Sequence, residues 1–161
     1  MTWNLIIVGA LRGCLYVGKR APEALRPSVA GRFSPRGKSK MAMILVVEDD
    51  SFIRDVAESM ILGCGHEVLL ASDVDQALLI LRSHQHIDAL FTDIYLKTRV
   101  LGGCELAYQA IELRPKLRVL YTTGNSITDK MKAQFVEGAQ FLCKPYTPQQ
   151  LQDSVEHLLA A

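Results

Sequence analysis

"MILVVEDDSFIR", residues 43–54, is an aliphatic run that ends abruptly in three consecutive acids. Ile44, Leu45, Val46 and Val47 are mostly β-branched and show no polar alternation, the pattern of a strand buried on both faces. Glu48, Asp49 and Asp50 then stand at its carboxyl end. Three adjacent carboxylates repel one another, and burial raises the cost of each. They therefore need either a solvent edge or a compensating cation, and a divalent metal or a cationic substrate is the natural candidate.

Outward from this stretch, apolar residues keep switching between two periods. Ile53, Val56, Ala57, Met60 and Ile61 recur at helical spacing, with Gly63 and Gly65 as the stop. "EVLLA" (67–71) is a second strand, and Ser72 with Asp75 forms a capping pattern before the helical set Val74, Ala77, Leu78 and Leu81. "IDALFTDIYL" (87–96) is a third strand with Asp93 near its end. "GCELAYQAIELRP" (103–115) is a helix closed by Pro115, "LRVLYTTGN" (117–125) a fourth strand, and "SITDKMKAQFVEG" (126–138) a weakly patterned helix. "AQFLCKPY" (139–146) is the fifth strand. Thr147, Pro148 and Gln150 form a capping box before the stripe Leu151, Val155, Leu158 and Leu159. Five such units predict an α/β fold, a doubly wound five-stranded parallel sheet with five helices. Ligands of such sheets bind beyond the carboxyl ends of the strands, which is where Glu48, Asp49, Asp50, Asp93, Thr122, Thr123 and Lys144 all fall.

The chain has 161 residues, is 49% hydrophobic and 22% charged, and suits one globular domain. Its net charge of +1 hides an asymmetry: residues 1–40 carry eight Lys or Arg and one acid, leaving ten bases and sixteen acids. "KRAPEALRPSVAGRFSPRGKSK" (19–40) has the composition of a disordered tail. Its bases are not clustered on a binding element, which favours a solvated extension, or a start assigned upstream of Met41 or Met43, over an arm for nucleic acid or anionic lipid. Cys14, Cys64, Cys104 and Cys143 lack metal or disulfide spacing, so a reducing cytoplasm is expected. The apolar run Leu5–Leu11 is too short to span a bilayer and has no basic segment before it, so neither a membrane anchor nor a secretory signal is predicted.

"ILVVEDD", "LFTDIYL", "VLYTTGN" and "FLCKPYTPQQL", in this order, resemble the receiver domain of two-component response regulators, over about residues 42–161. The resemblance implies a flavodoxin-like topology and Asp93 as the acceptor of a phosphoryl group from a sensor histidine kinase or histidine phosphotransfer protein. It further implies Mg2+ held directly by Asp49, Asp93 and the backbone carbonyl of Tyr95, and through water by Glu48, with Asp50 solvated. Lys144 matches the lysine that pairs with the phosphoryl oxygens, before a cis Pro145; Thr123 matches the switch hydroxyl, and Phe141 the aromatic switch. "KTRVLGG" (97–103) is about two residues longer than usual and lacks Met-Pro, Gly124 replaces the commoner Ala, and a bulky Tyr95 suggests a long-lived phosphorylated state. Lys97 and Arg99 are read as solvated.

The resulting expectation is a stand-alone regulator, not an enzyme, that signals through a downstream protein. It binds neither DNA nor membrane, and the face of helix four, strand five and helix five serves a homodimer. Two other classes stay open: a degenerate interaction module that accepts no phosphate, and a Mg2+-dependent phosphohydrolase, disfavoured because Tyr95 stands where a second acid is needed. His84, His86, His66 and His157 show no partners in sequence, and Cys143 is expected to be a small buried hydrophobe.

Overall fold

The computed structural model describes residues 41–96 and 101–160, so expectations about residues 1–40 and about Lys97 and Arg99 lie outside the described residues. Five strands, β1 (Met43–Val47), β2 (Glu67–Ala71), β3 (Ala89–Asp93), β4 (Arg118–Thr123) and β5 (Gln140–Cys143), form one sheet in the order β2-β1-β3-β4-β5, all parallel. The helices are α1 (Ser51–Gly63), α2 (Val74–Leu81), α3 (Gly102–Leu113), α4 (Asp129–Lys132) and α5 (Pro148–Ala160). The central strands β1 and β3 are buried almost throughout, as their unbroken aliphatic runs require.

Alternate strand residues feed two cores. Ile44, Val46, Phe91, Leu120 and Leu142 pack with Ala57 and Ile61 of α1 and Leu151, Val155 and Leu158 of α5. Leu45, Val47, Leu90, Val119 and Tyr121 face Val74 and Leu78 of α2 and Leu106 and Ala110 of α3. Arg114 ties the second layer together: Nε donates to the carbonyl of Leu81 at 2.8 Å and a terminal nitrogen to that of Ser83 at 2.8 Å. Those carbonyls lie at the end of α2, where acceptors lack helical partners.

Local signals explain most boundaries. Asp50 is the N-cap of α1, accepting from the amides of Phe52 and Ile53, which corrects the expectation of a merely solvated acid. The cap of α2 is Asp73 rather than Ser72: Asp73 accepts from Gln76 N at 2.8 Å, and the Gln76 side chain accepts from Ser72 N at 2.7 Å. The predicted Thr147–Gln150 box closes in both directions, at 2.8 and 3.2 Å. Cys143 is exposed, contrary to expectation, because β5 is an edge strand. The helix expected over 126–138 is a single turn.

Two histidines acquire partners. His86 Nε2 lies 2.9 Å from Asp88 Oδ1, while Asp88 Oδ2 accepts from Met43 N at 2.8 Å. His66 is buried, and its Nδ1 accepts from Ala42 N at 3.3 Å. Burial holds its pKa below the ordinary 6.5, outweighing Glu156 and Asp88. The folded chain thus favours the neutral ring, and acid protonates the unfolded chain first. Stability contributed by His66 is present above pH 6.5 and lost as pH falls below it. Urea unfolding at a series of pH values is expected to show this loss in the wild type and a shallower decline in His66→Gln.

Candidate functional site

Parallel strands deliver their carboxyl ends to one edge, and the unusual residues gather there. Glu48 and Asp49 follow β1, Asp93 ends β3, Thr123 ends β4 and Lys144 follows β5. Backbone bonds fix these ends to one another: Glu48 N donates to Ala71 O at 3.2 Å, Ile94 N to Thr122 O at 2.9 Å, and Lys144 N to Thr123 O at 2.9 Å. Register places Asp93 beside Thr122 and Thr123 beside Cys143.

The Lys144 ammonium joins two strands. Its Nζ donates to Asp93 Oδ2 at 2.7 Å and to Glu48 Oε2 at 2.5 Å. Glu48 is 4% and Asp93 9% exposed, so both carboxylates are taken largely out of water. Burial raises the Glu48 pKa; the shared ammonium opposes this, and the charge on Asp93 reinforces it. For Lys144, burial pushes downward, but the bonds to Asp93 and Glu48 prevail and its pKa stands above the ordinary lysine value. The ammonium is therefore firmly charged, while two carboxylates compete for it.

Asp93 is oriented from both sides. Its second oxygen, Oδ1, accepts from Tyr95 N at 3.1 Å. Glu48, Asp49 and Asp93 each offer a carboxylate oxygen within 4.8 Å of the others. Three hard oxygen donors this close suit a hard divalent cation such as Mg2+, which binds through carboxylates and keeps several waters. Thr123 Oγ1 accepts from Asn125 N at 3.2 Å, which leaves the hydroxyl proton available to donate. Phe141 lies farther back on β5, partly buried in the α2–α3 core. Thr122, grouped with Thr123 in sequence, alternates to the other side of the strand. Its hydroxyl is, among the described residues, the one buried side-chain oxygen or nitrogen without a hydrogen-bond partner. The bond between Lys144 and Pro145 is cis.

Sequence reasoning missed three contributors. Arg54, in the first turn of α1, donates from its guanidinium to the carbonyl of Glu48 at 2.9 Å. A cation there opposes the helix dipole, which was the available signal. Tyr146 packs edge-on to Phe91 at 6.1 Å, and burial, with the charges of Glu48 and Asp93, pushes its hydroxyl up to about 12. Gly103 lets α3 approach the end of β3: a Cβ there would lie 1.9 Å from the carbonyl oxygen of Asp93.

A doubly wound sheet with a lysine-bridged acidic cluster at its carboxyl edge defines a phosphoryl- or metal-handling α/β protein. The response regulator receiver domain family matches residues 44–156, and the chain belongs to that family. It is 32% identical over 109 residues to the uncharacterized transcriptional regulatory protein YrkP of Bacillus subtilis, covering 67% of this chain and 45% of YrkP. It is 25% identical over 116 residues to the protein PilG of Pseudomonas aeruginosa, covering 70% of this chain and 84% of PilG. The chain thus spans less than half of the length of some curated relatives that it matches. The crystal structure of a response regulator receiver protein from Sinorhizobium medicae WSM419 superposes with a TM-score of 0.69 at 28% identity, over 76% of this chain and 97% of that one. Receiver domains work in two-component systems with kinase or phosphotransfer partners, and they generally bind Mg2+ through acidic residues. Among the described residues no helix is long and apolar enough to cross a membrane.

Proposed function

We propose that residues 42–161 form a receiver that takes a phosphoryl group onto Asp93 from a histidine kinase or histidine phosphotransfer protein in the cytoplasm. The observation that carries this reading is the Lys144 ammonium bound at once to Asp93 and Glu48, with Asp49 completing the carboxylate cluster. In the transfer, an Asp93 oxygen forms a bond to phosphorus as the bond from phosphorus to the donor's imidazole nitrogen breaks, leaving an acyl phosphate and a free imidazole. Asp49, Asp93 and the carbonyl of Tyr95 would hold Mg2+ directly, with Glu48 reaching it through water. The chemistry such an ion would supply there is neutralisation of charge on the transferring group. Lys144 exchanges a carboxylate partner for a phosphoryl oxygen, and Thr123 donates its hydroxyl proton to another. Phe141 answers that movement.

Output then runs through protein contacts of the α4–β5–α5 face, with a second copy of the chain as one occupant. This places the chain among phosphoaccepting signalling proteins that catalyse only their own phosphorylation and dephosphorylation. YrkP, whose name describes a transcriptional regulatory protein, is longer than the matched stretch, and the output assigned to this chain needs no DNA contact.

Intact mass after incubation with acetyl phosphate tests the reading. One Mg2+-dependent phosphoryl adduct is expected on the wild type and none on Asp93→Asn. Absence of an adduct on the wild type would favour a module that works without phosphate, and free phosphate appearing far faster than adduct would favour a phosphohydrolase.

A further inference from the structure

The shortness of α4 is not set by a helix breaker within it. From Asp129 to Glu137 there is neither proline nor glycine, and Ala133 and Gln134 are sound helix formers. Yet regular bonding ends early. Ala133 N still donates four residues back to Asp129 O at 3.0 Å, whereas Gln134 N and Phe135 N donate three residues back, to Met131 O at 2.9 Å and Lys132 O at 3.0 Å. Val136 N then leaves the helix altogether and donates to the hydroxyl of Tyr121, 3.4 Å away on β4. A side-chain acceptor has taken the amide that would close the next turn.

Tyr121 is fully buried and also anchors a stack of rings. Its ring lies 4.3 Å from that of Phe135 at 26°, and Phe135 lies 6.3 Å from Phe141 at 30°. Tyr121 and Phe141 are register partners on β4 and β5, so Phe135 bridges neighbouring strands. Both strands end in the site: Thr123 is two residues beyond Tyr121, on the same strand face, and Lys144 is three beyond Phe141. A rearrangement of Thr123 and Lys144 acts on the ends of the two strands that carry the outer rings.

We infer that Tyr121 is the stop of α4 and its link to the site: its hydroxyl holds Val136 out of the helix, and repacking of the Tyr121–Phe135–Phe141 stack on phosphorylation of Asp93 releases that amide and lengthens α4. Tyr121 and Phe135 are thus positioning residues, and the link to phosphorylation rests on the function proposed above. The lengthened helix changes the surface presented by Lys130, Lys132, Gln134 and Glu137.

Backbone Cα chemical shifts of the full chain test this, because they read helicity residue by residue. Tyr121→Phe keeps the ring and removes the acceptor, and residues 133–136 are expected to move towards helical shifts. Phosphorylating the wild type with acetyl phosphate and Mg2+ is expected to move the same residues the same way, and to add nothing further in Tyr121→Phe. Phe135→Leu, which breaks the stack and keeps the hydroxyl, is expected to abolish the phosphorylation-linked shift. Unchanged shifts in Tyr121→Phe overturn the stop. An adduct proven by mass, with residues 133–136 unmoved, overturns the link while the receiver reading stands. No adduct overturns that reading and the link together, and Tyr121→Phe alone then decides the stop.

Discussion

Lys144→Met is expected to lower the stability of the metal-free protein at neutral pH by about 3 kcal/mol, the scale of leaving a buried charge without its partner. Methionine keeps most of the apolar stem, so the loss isolates the ammonium. Two buried carboxylates, Glu48 and Asp93, then face each other and Asp49 with no cation among them. Lys144→Arg keeps the charge but replaces a compact ammonium by a planar fork, so a smaller loss is expected. Urea unfolding of the three proteins checks the order. Addition of Mg2+ is expected to restore much of the stability of Lys144→Met, since an ion among the carboxylates replaces the missing charge. A Lys144→Met protein as stable as the wild type without metal would show that the acids do not depend on this cation.

Gly103→Ala is the second substitution with a large expected effect. The added Cβ would sit 1.9 Å from the Asp93 carbonyl oxygen, 2.8 Å from its carbonyl carbon and 3.0 Å from Ile94 Cα. All three are backbone atoms of the Asp93–Ile94 segment, so no side chain can rotate away. Gly103 N also donates to Ile94 O at 3.1 Å, which ties the start of α3 to the same segment. Relief requires α3 to withdraw and that bond to stretch, at a cost of about 3 kcal/mol, the upper range for overpacking. Thermal or urea unfolding measures the loss, and the phosphorylation rate is expected to fall as well because Asp93 is displaced. Wild-type stability in Gly103→Ala would mean that the approach of α3 to β3 is looser than this geometry. By contrast, Gly63 has open space around its missing Cβ.

The strands and most helices were legible because their signals are local. An aliphatic run such as Ile44–Val47 or a stripe such as Leu151, Val155 and Leu158 is written in consecutive residues, and parallel topology then collects the strand ends. Glu48, Asp49, Asp93, Thr123 and Lys144 are found together at that edge for this reason. What sequence did not disclose depends on pairs far apart in the chain. Tyr121 reads as one more apolar strand residue until its hydroxyl meets Val136, fifteen residues on. His66 has no evident partner until Ala42, twenty-four residues earlier, donates to it. Cys143 reads as buried because its position at the sheet edge is a fact of strand order, not of composition. Asp50 and Asp73 show a subtler limit: several acids or hydroxyls near a helix start can each serve as cap, and backbone geometry picks one.

The strand order also distributes rigidity unevenly across the site. The carboxylates follow or end β1 and β3, each flanked by strands on both sides, whereas Lys144 follows β5, a four-residue strand with β4 as its only neighbour among the described residues. Local opening of a sheet starts where fewest bonds must break together, and that place is β5. The acids stand at the ends of two strands that have neighbours on both sides. The ammonium is carried on the strand end with the fewest backbone bonds behind it, and the two residues that brace that strand, Thr123 through its carbonyl and Phe141 through its place in the ring stack, are also the residues assigned to the switch.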